Sequence, residues 1–152
     1  DYINQDAIDM IPEVAVGRVP ASDVWEARDF VRKVISYEEN GLYSRRFSDW
    51  FKRALFIVPY TAADDLDTIY FNTKEAIAAD SLTPETNFTI RRTYSSDISS
   101  AAAAVSDAEP TVEAVIGSLN YGYGLVNYGG HGSLVTWGNV FYTWNVSQLE
   151  QD

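Results

Sequence analysis

Apolar positions along the chain change period several times, and each change marks a boundary between a strand and a helix. Glu13-Val14-Ala15-Val16-Gly17 reads as a short buried strand, broken by Gly17 and Pro20. Ser22 is placed to cap the helix that follows. There Val24, Ala27, Val31, Val34 and Ile35 recur at three and four residues on one face, and Asn40-Gly41 supplies a stop signal. Residues 42–53 read as an aromatic-rich connection held down by Tyr43, Phe47, Trp50 and Phe51. Ala54 to Val58 is a continuous apolar run, the pattern of a strand covered on both faces. After Pro59 and an acidic loop, a helix over about 67–79 is predicted, with Ile69, Tyr70, Thr73 and Ile77 inward. Phe88 to Tyr94 alternates as a partly exposed strand, and an alanine-rich helical turn follows Ser95–Ser100. Pro110 suits the first turn of a helix whose apolar stripe is Val112, Val115, Ile116 and Leu119. Leu125 to Tyr128 is then a strand ending at Gly129-Gly130.

Strand and helix alternate throughout, which argues for an α/β layer with a mostly parallel sheet. In such sheets, sites collect at the carboxyl ends of strands. The sequence has one histidine, His131, and it follows one of those ends.

Composition narrows the function classes. The 152 residues suffice for one domain with a hydrophobic core. The net charge is -11, and the few Lys and Arg are scattered among acids, so a nucleic-acid partner is not expected. An acidic surface favours cationic ligands or peptides. No apolar run approaches the roughly 18–20 residues of a membrane span. The absence of cysteine excludes disulfides and thiolate metal sites from this stretch and leaves the redox compartment open. A start at Asp1 without a leader is expected of a mature or excised chain. Asn87-Phe88-Thr89 and Asn145-Val146-Ser147 match glycosylation acceptors, which matter only in a eukaryotic secretory context.

The segment Leu125 to Ser133 carries most of the chemical information. Its glycines permit turns and close approaches that a side chain would block. A histidine on such a turn can reach out of the sheet, and imidazole suits proton transfer near neutrality. The amide of Gly132 could address an oxyanion. Ser133 is positioned to fix the turn; the Gly-x-Ser-x-Gly elbow of a serine nucleophile is absent. A solvated loop histidine beside turn glycines fits the same spacing, and the residues alone leave both readings open. One histidine without His or Cys companions offers few ligands to a transition metal.

Leu125-Val126-Asn127-Tyr128-Gly129-Gly130-His131-Gly132-Ser133, with Thr136-Trp137-Gly138 after it, resembles the histidine segment of the gingipain family of cysteine peptidases. Pro12 to Arg18, the helix ending Ser36-Tyr37-Glu38, and Ala54 to Val58 with its acidic loop also resemble that family in order and spacing. The resemblance implies a caspase-like fold: a three-layer α/β sandwich with a mostly parallel sheet, here incomplete. Residues 1–41 would be the strand and helix leading into the catalytic subdomain, and 42–152 its N-terminal part. The resemblance makes His131 the base of a Cys–His pair and Gly132 half of an oxyanion hole. The family's cysteine lies on the strand after Gln148-Leu149-Glu150, about where this sequence stops, so its partner would be the remainder of the domain. It also implies peptide or protein substrates and a secreted or cell-surface location. The alternative is a non-catalytic caspase-like interaction or secretion-system module.

Asp64, Asp65 and Asp67 fall on the loop after the first core strand. By resemblance, an acid there positions the histidine or receives a basic side chain, although loop lengths differ and Thr61 stands about where the family can have one. A solvated acidic loop fits equally well. The chemistry needs no cofactor. A structural calcium ion would suit these carboxylates, but Asp64-Asp65-Leu66-Asp67 lacks the rest of a recognised calcium loop. Trp137, Tyr142 and Trp144 fit either a substrate groove, for which Trp137 is the candidate, or ordinary core.

Overall fold

The computed structural model describes residues 17–47, 49–61, 66–82 and 86–150. The chain divides into two compact units, Asp1–Gly41 and Leu42–Asp152. In the first, the predicted strand Glu13–Gly17 lies outside the described residues apart from Gly17. Helix α1 spans Val24–Phe47, carrying the boundary between the units within it. It begins one residue later than the Ser22 cap requires. Asp23 is the cap instead, its Oδ1 accepting from the amides of Trp25 (2.7 Å) and Glu26 (2.9 Å). The Ser22 amide donates back to Glu26 Oε2 at 2.6 Å. Asn40-Gly41 does not stop the helix, because one interior glycine costs only about 1 kcal/mol and the residues after it are helix-compatible. The predicted connection over 42–53 is therefore helix as far as Phe47, followed by a 3-10 turn at Trp50–Lys52. Val24, Val31, Val34 and Ile35 on the apolar face of α1 are exposed.

In the second unit, β1 (Arg53–Val58) is the centre of a three-stranded parallel sheet, flanked by β2 (Thr89–Tyr94) and β3 (Leu125–Tyr128) in the order β2-β1-β3. Ala54 to Val58 are all 0% exposed, as an uninterrupted apolar run requires. Alternate residues of β1 feed two cores. Ala54, Phe56 and Val58 pack with Phe71 and Ala78 of α2 (Leu66–Asp80), with Tyr94, and with Ala102 of α3 (Ser100–Val105). Leu55 and Ile57 pack on the other side with Val115 of α4 (Val112–Tyr121), and with Val140 and Phe141. The result is three layers, helix, sheet and helix, in the mixed α/β arrangement expected of a caspase-like fold.

Two helices differ from their predicted registers. Thr111 caps α4 by accepting from the Ala114 amide at 3.1 Å, so Pro110 precedes the cap and is not in the first turn. The buried positions of α2 are Asp67, Phe71, Lys74 and Ala78. Tyr70 and Ile77 are only partly buried, and Ile69 and Thr73 are exposed. The face is rotated because two of its inward residues, though ionisable, find polar partners there. Asp67 accepts from the Thr61 amide at 2.9 Å, and Lys74 donates to Asn127 Oδ1 at 2.6 Å.

After β3 the chain forms a two-stranded hairpin, β4 (Thr136–Trp137) with β5 (Phe141–Tyr142), and then a 3-10 helix over Thr143–Gln148. Asn145 is buried, its Oδ1 accepting from the Tyr142 amide at 2.8 Å. Of the two acceptor triplets, then, only Asn87 presents its side chain to solvent.

Candidate functional site

The parallel arrangement of β1, β2 and β3 brings three carboxyl ends to one rim. Val58 leads to Pro59-Tyr60-Thr61, Tyr94 to Ser95, and Tyr128 to Gly129-Gly130-His131. Backbone bonds tie the three exits together: Gly129 N–H donates to Ile57 O at 2.9 Å, and Ser95 N–H donates to Val58 O at 3.0 Å.

His131 sits exposed on this rim, and its peptide is clamped from two sides. Its carbonyl accepts from the Tyr128 hydroxyl at 2.5 Å and from the Gly138 amide at 2.7 Å. Two glycines make room for that phenol. A Cβ at Gly130 would lie 2.6 Å from Tyr128 Oη, and one at Gly138, where φ is +53°, would lie 3.0 Å from it. The Tyr128 ring stacks on Trp137 with centroids 5.4 Å apart, and Trp137 in turn meets Phe141. Trp137 thus packs its ring against Tyr128 and Phe141 while remaining 39% exposed.

Gly132 forms an isolated antiparallel bridge with Trp137. The bonds that close this bridge run from Ser133 N to Thr136 O (2.9 Å) and from Gly138 N to His131 O (2.7 Å). The amide of Gly132 is not used in it. Ser133 fixes the turn, its Oγ accepting from the Val135 amide at 3.2 Å. Tyr142 stacks on Trp144 at 4.5 Å, with Trp144 61% exposed.

Asp64 and Asp65 lie outside the described residues. The third acid, Asp67, lies in the first turn of α2, 2% exposed and bonded by both the amide and the hydroxyl of Thr61. Among the described residues no group of three His, Cys, Asp or Glu side chains could hold a metal ion. No described helix is long and apolar enough to cross a membrane.

The family of this chain is decided by sequence comparison. The model of peptidase family C25 matches residues 2–152. The chain belongs to that family. Its members are the gingipain-type cysteine peptidases, which act on protein substrates. Neither the curated proteins nor the solved structures yield a match.

Within this C25 chain, the residues that sequence reasoning passed over are Tyr128 as a donor, and Lys74. Tyr128 was legible only as part of a strand. Burial pushes its phenol up to about 12, with further contributions from the negative charge of Asp67 and from Tyr70. A pKa raised above the unfolded value of about 10 adds stability that is present below pH ~10 and lost as pH rises to about 12. Tyr94 and Tyr123 are also raised by burial, so one substitution is needed to isolate the effect. In an ultraviolet difference titration of the parent sequence against Tyr128→Phe, the missing phenol is expected to ionise near pH 12. A missing transition near pH 10 would contradict the buried, bonded hydroxyl.

Proposed function

We propose that the chain is the histidine-bearing portion of a gingipain-like cysteine endopeptidase, with His131 as the base of a Cys–His pair. Residues 1–41 would lead into the catalytic subdomain and 42–152 form its N-terminal part. The observation that carries this reading is the clamp on the His131 carbonyl, which holds the turn by its backbone while the adjacent Gly132 amide stays outside the hairpin bonding. A proton acceptor and an oxyanion donor are thus neighbours on one rigid turn.

The cysteine is proposed to come from the remainder of the parent domain, on a strand added to the outer edge of β3. Three features favour that position. Among the described residues β3 pairs only with β1, and Leu125 and Val126 are each 37% exposed. Beside Val126 lies an open cleft of about 750 Å³, lined by Trp50, Arg53, Tyr121, Tyr123 and Leu149, at the end of the strands away from His131. Asn120 anchors the chain there, accepting from the Glu150 amide at 2.9 Å and donating to Gln148 O at 3.2 Å. A strand running on from this point would lie parallel to β3 and finish beside His131.

In the proposed reaction His131 takes the thiol proton and the sulfur attacks the scissile carbonyl carbon. The oxyanion accepts from the Gly132 amide and from the cysteine's own amide. Collapse expels the amine, which leaves with the proton from the imidazolium. Water, deprotonated by the same imidazole, then cleaves the thioester. Trp137 would wall the substrate groove with its exposed face. Asp64 and Asp65 would receive substrate from the β1–α2 loop. No cofactor takes part in these steps, and family membership is the ground for proposing a secreted or cell-surface protein.

The test begins with the coding sequence downstream, where an apolar strand ending in cysteine is expected. The parent protein should cleave peptides, the 152-residue chain should not, and changing that cysteine to alanine should abolish cleavage. A parent without such a cysteine would reject the peptidase reading in favour of a caspase-like interaction or secretion module.

A further inference from the structure

A lysine occupies the middle of a core stripe beneath the histidine turn. On α2 the inward positions are Asp67, Phe71, Lys74 and Ala78, and Lys74 is only 5% exposed. Its neighbours on the stripe, Phe71 and Ala78, belong to the apolar core of that face. An apolar side chain of similar length would fill the same position without the cost of taking an ammonium out of water. Burial accordingly lowers the Lys74 pKa from its ordinary value.

The ammonium reaches the end of β3. Nζ donates to Asn127 Oδ1 at 2.6 Å, across 53 residues of sequence. It also lies directly under Gly129, where an added Cβ would come within 2.9 Å of Nζ, 3.2 Å of Lys74 Cε and 3.1 Å of Tyr70 Cβ. Gly129 is itself held on the other side by its bond to Ile57 O. The two residues it props, Asn127 and Gly129, flank Tyr128, whose hydroxyl holds the His131 carbonyl. A change in the height of the ammonium therefore moves both neighbours of the residue that clamps the turn.

We infer that Lys74 is a positioning residue for His131: a strut from α2 that sets where β3 ends and how the Gly129–Gly132 turn presents the imidazole and the Gly132 amide. It touches no reacting atom and acts through Asn127 and Gly129. The inference rests on the reading of His131 as the base for its importance to catalysis, but not for its structural content.

Because His131 is the sole histidine of the chain, its imidazole gives a single set of NMR signals. In the full 152-residue chain, Lys74→Met is expected to leave the far-ultraviolet circular dichroism unchanged. It should displace or split the His131 imidazole signals and the amide signals of Gly129, Gly130 and Gly132. Unmoved His131 signals in a folded Lys74→Met chain would overturn the inference. Should that variant unfold, Asn127→Ala removes the acceptor and keeps the lysine. The same displacements are expected there, and their absence would overturn the inference equally. In the parent peptidase, Lys74→Met should lower kcat roughly ten- to a hundredfold with KM nearly unchanged, as small misplacements of a catalytic group do. A KM rise at constant kcat would also reject the strut. If the parent is inactive, the NMR result still decides Lys74, and the fault then lies with the proposed peptidase function.

Discussion

Replacement of His131 by alanine in the parent peptidase is expected to lower kcat/KM by about 10²–10⁴-fold while leaving the protein folded. The two halves of this expectation come from different atoms of the residue. The carbonyl of His131 accepts from Tyr128 and Gly138, and alanine keeps that carbonyl. The residue is exposed, and truncation at exposed positions usually changes stability by no more than about 0.5 kcal/mol. The proposed chemistry, by contrast, needs the ring nitrogen twice, once to take the thiol proton and once to activate water. Initial rates on a fluorogenic peptide, set beside thermal unfolding of both proteins, separate the two. Retained activity would remove His131 from the mechanism. Lost activity with a lowered melting midpoint would show that the turn had collapsed, and would leave the ring's role unproved.

The largest effect on stability is expected at Phe56. It is fully buried on the central strand and belongs to the core shared by β1, α2 and α3. Truncation to alanine removes the transfer free energy of the ring and leaves a cavity that rigid strand neighbours can only partly close, a loss of about 3–5 kcal/mol. Against a typical total of roughly 5–15 kcal/mol, that is about a fifth or more of the stability of such a domain. Urea unfolding should show a lower midpoint at unchanged slope. A change under about 1 kcal/mol would mean that β1 is not the centre of the core. Phe56 lies on the same sheet face as Asn127, with which it is paired across the β1–β3 register, so lost positioning of the histidine turn is expected to accompany lost stability.

Much of this architecture is legible without coordinates. The run Ala54 to Val58 can only be a strand covered twice, because five successive apolar side chains point alternately to both faces. Two helix starts were shifted: Ser99 and Thr111 cap α3 and α4 by accepting from first-turn amides, whereas the predicted loop ran through Ser100 and the predicted first turn held Pro110. The glycine turn at His131 was legible too, since few other uses explain Gly-Gly-His-Gly after an apolar strand. Helix ends were less so. Asn40-Gly41 is a stop signal of small energy, and the residues beyond it carried α1 on to Phe47.

The rotation of α2 was not legible. Periodicity ranks residues by apolarity and places Ile69 and Thr73 inside, whereas the fold buries Asp67 and Lys74. The reason is that burial of a polar group depends on a partner, and the partners are set by the sheet. Asp67 meets the loop that leaves β1, and Lys74 meets Asn127 on β3. Nothing within one helical turn of either residue announces those meetings.

By itself, then, the sequence determined the alternation of elements, the central strand and the histidine on its glycine turn, all consequences of interactions between near neighbours. Only the tertiary structure decided that the Tyr128 hydroxyl and the Gly138 amide converge on one carbonyl, that the Gly132 amide stays out of the hairpin bonds, and that a lysine stands beneath the turn. Those features depend on side chains brought together by strand pairing and helix docking, and a one-dimensional pattern has no term for them.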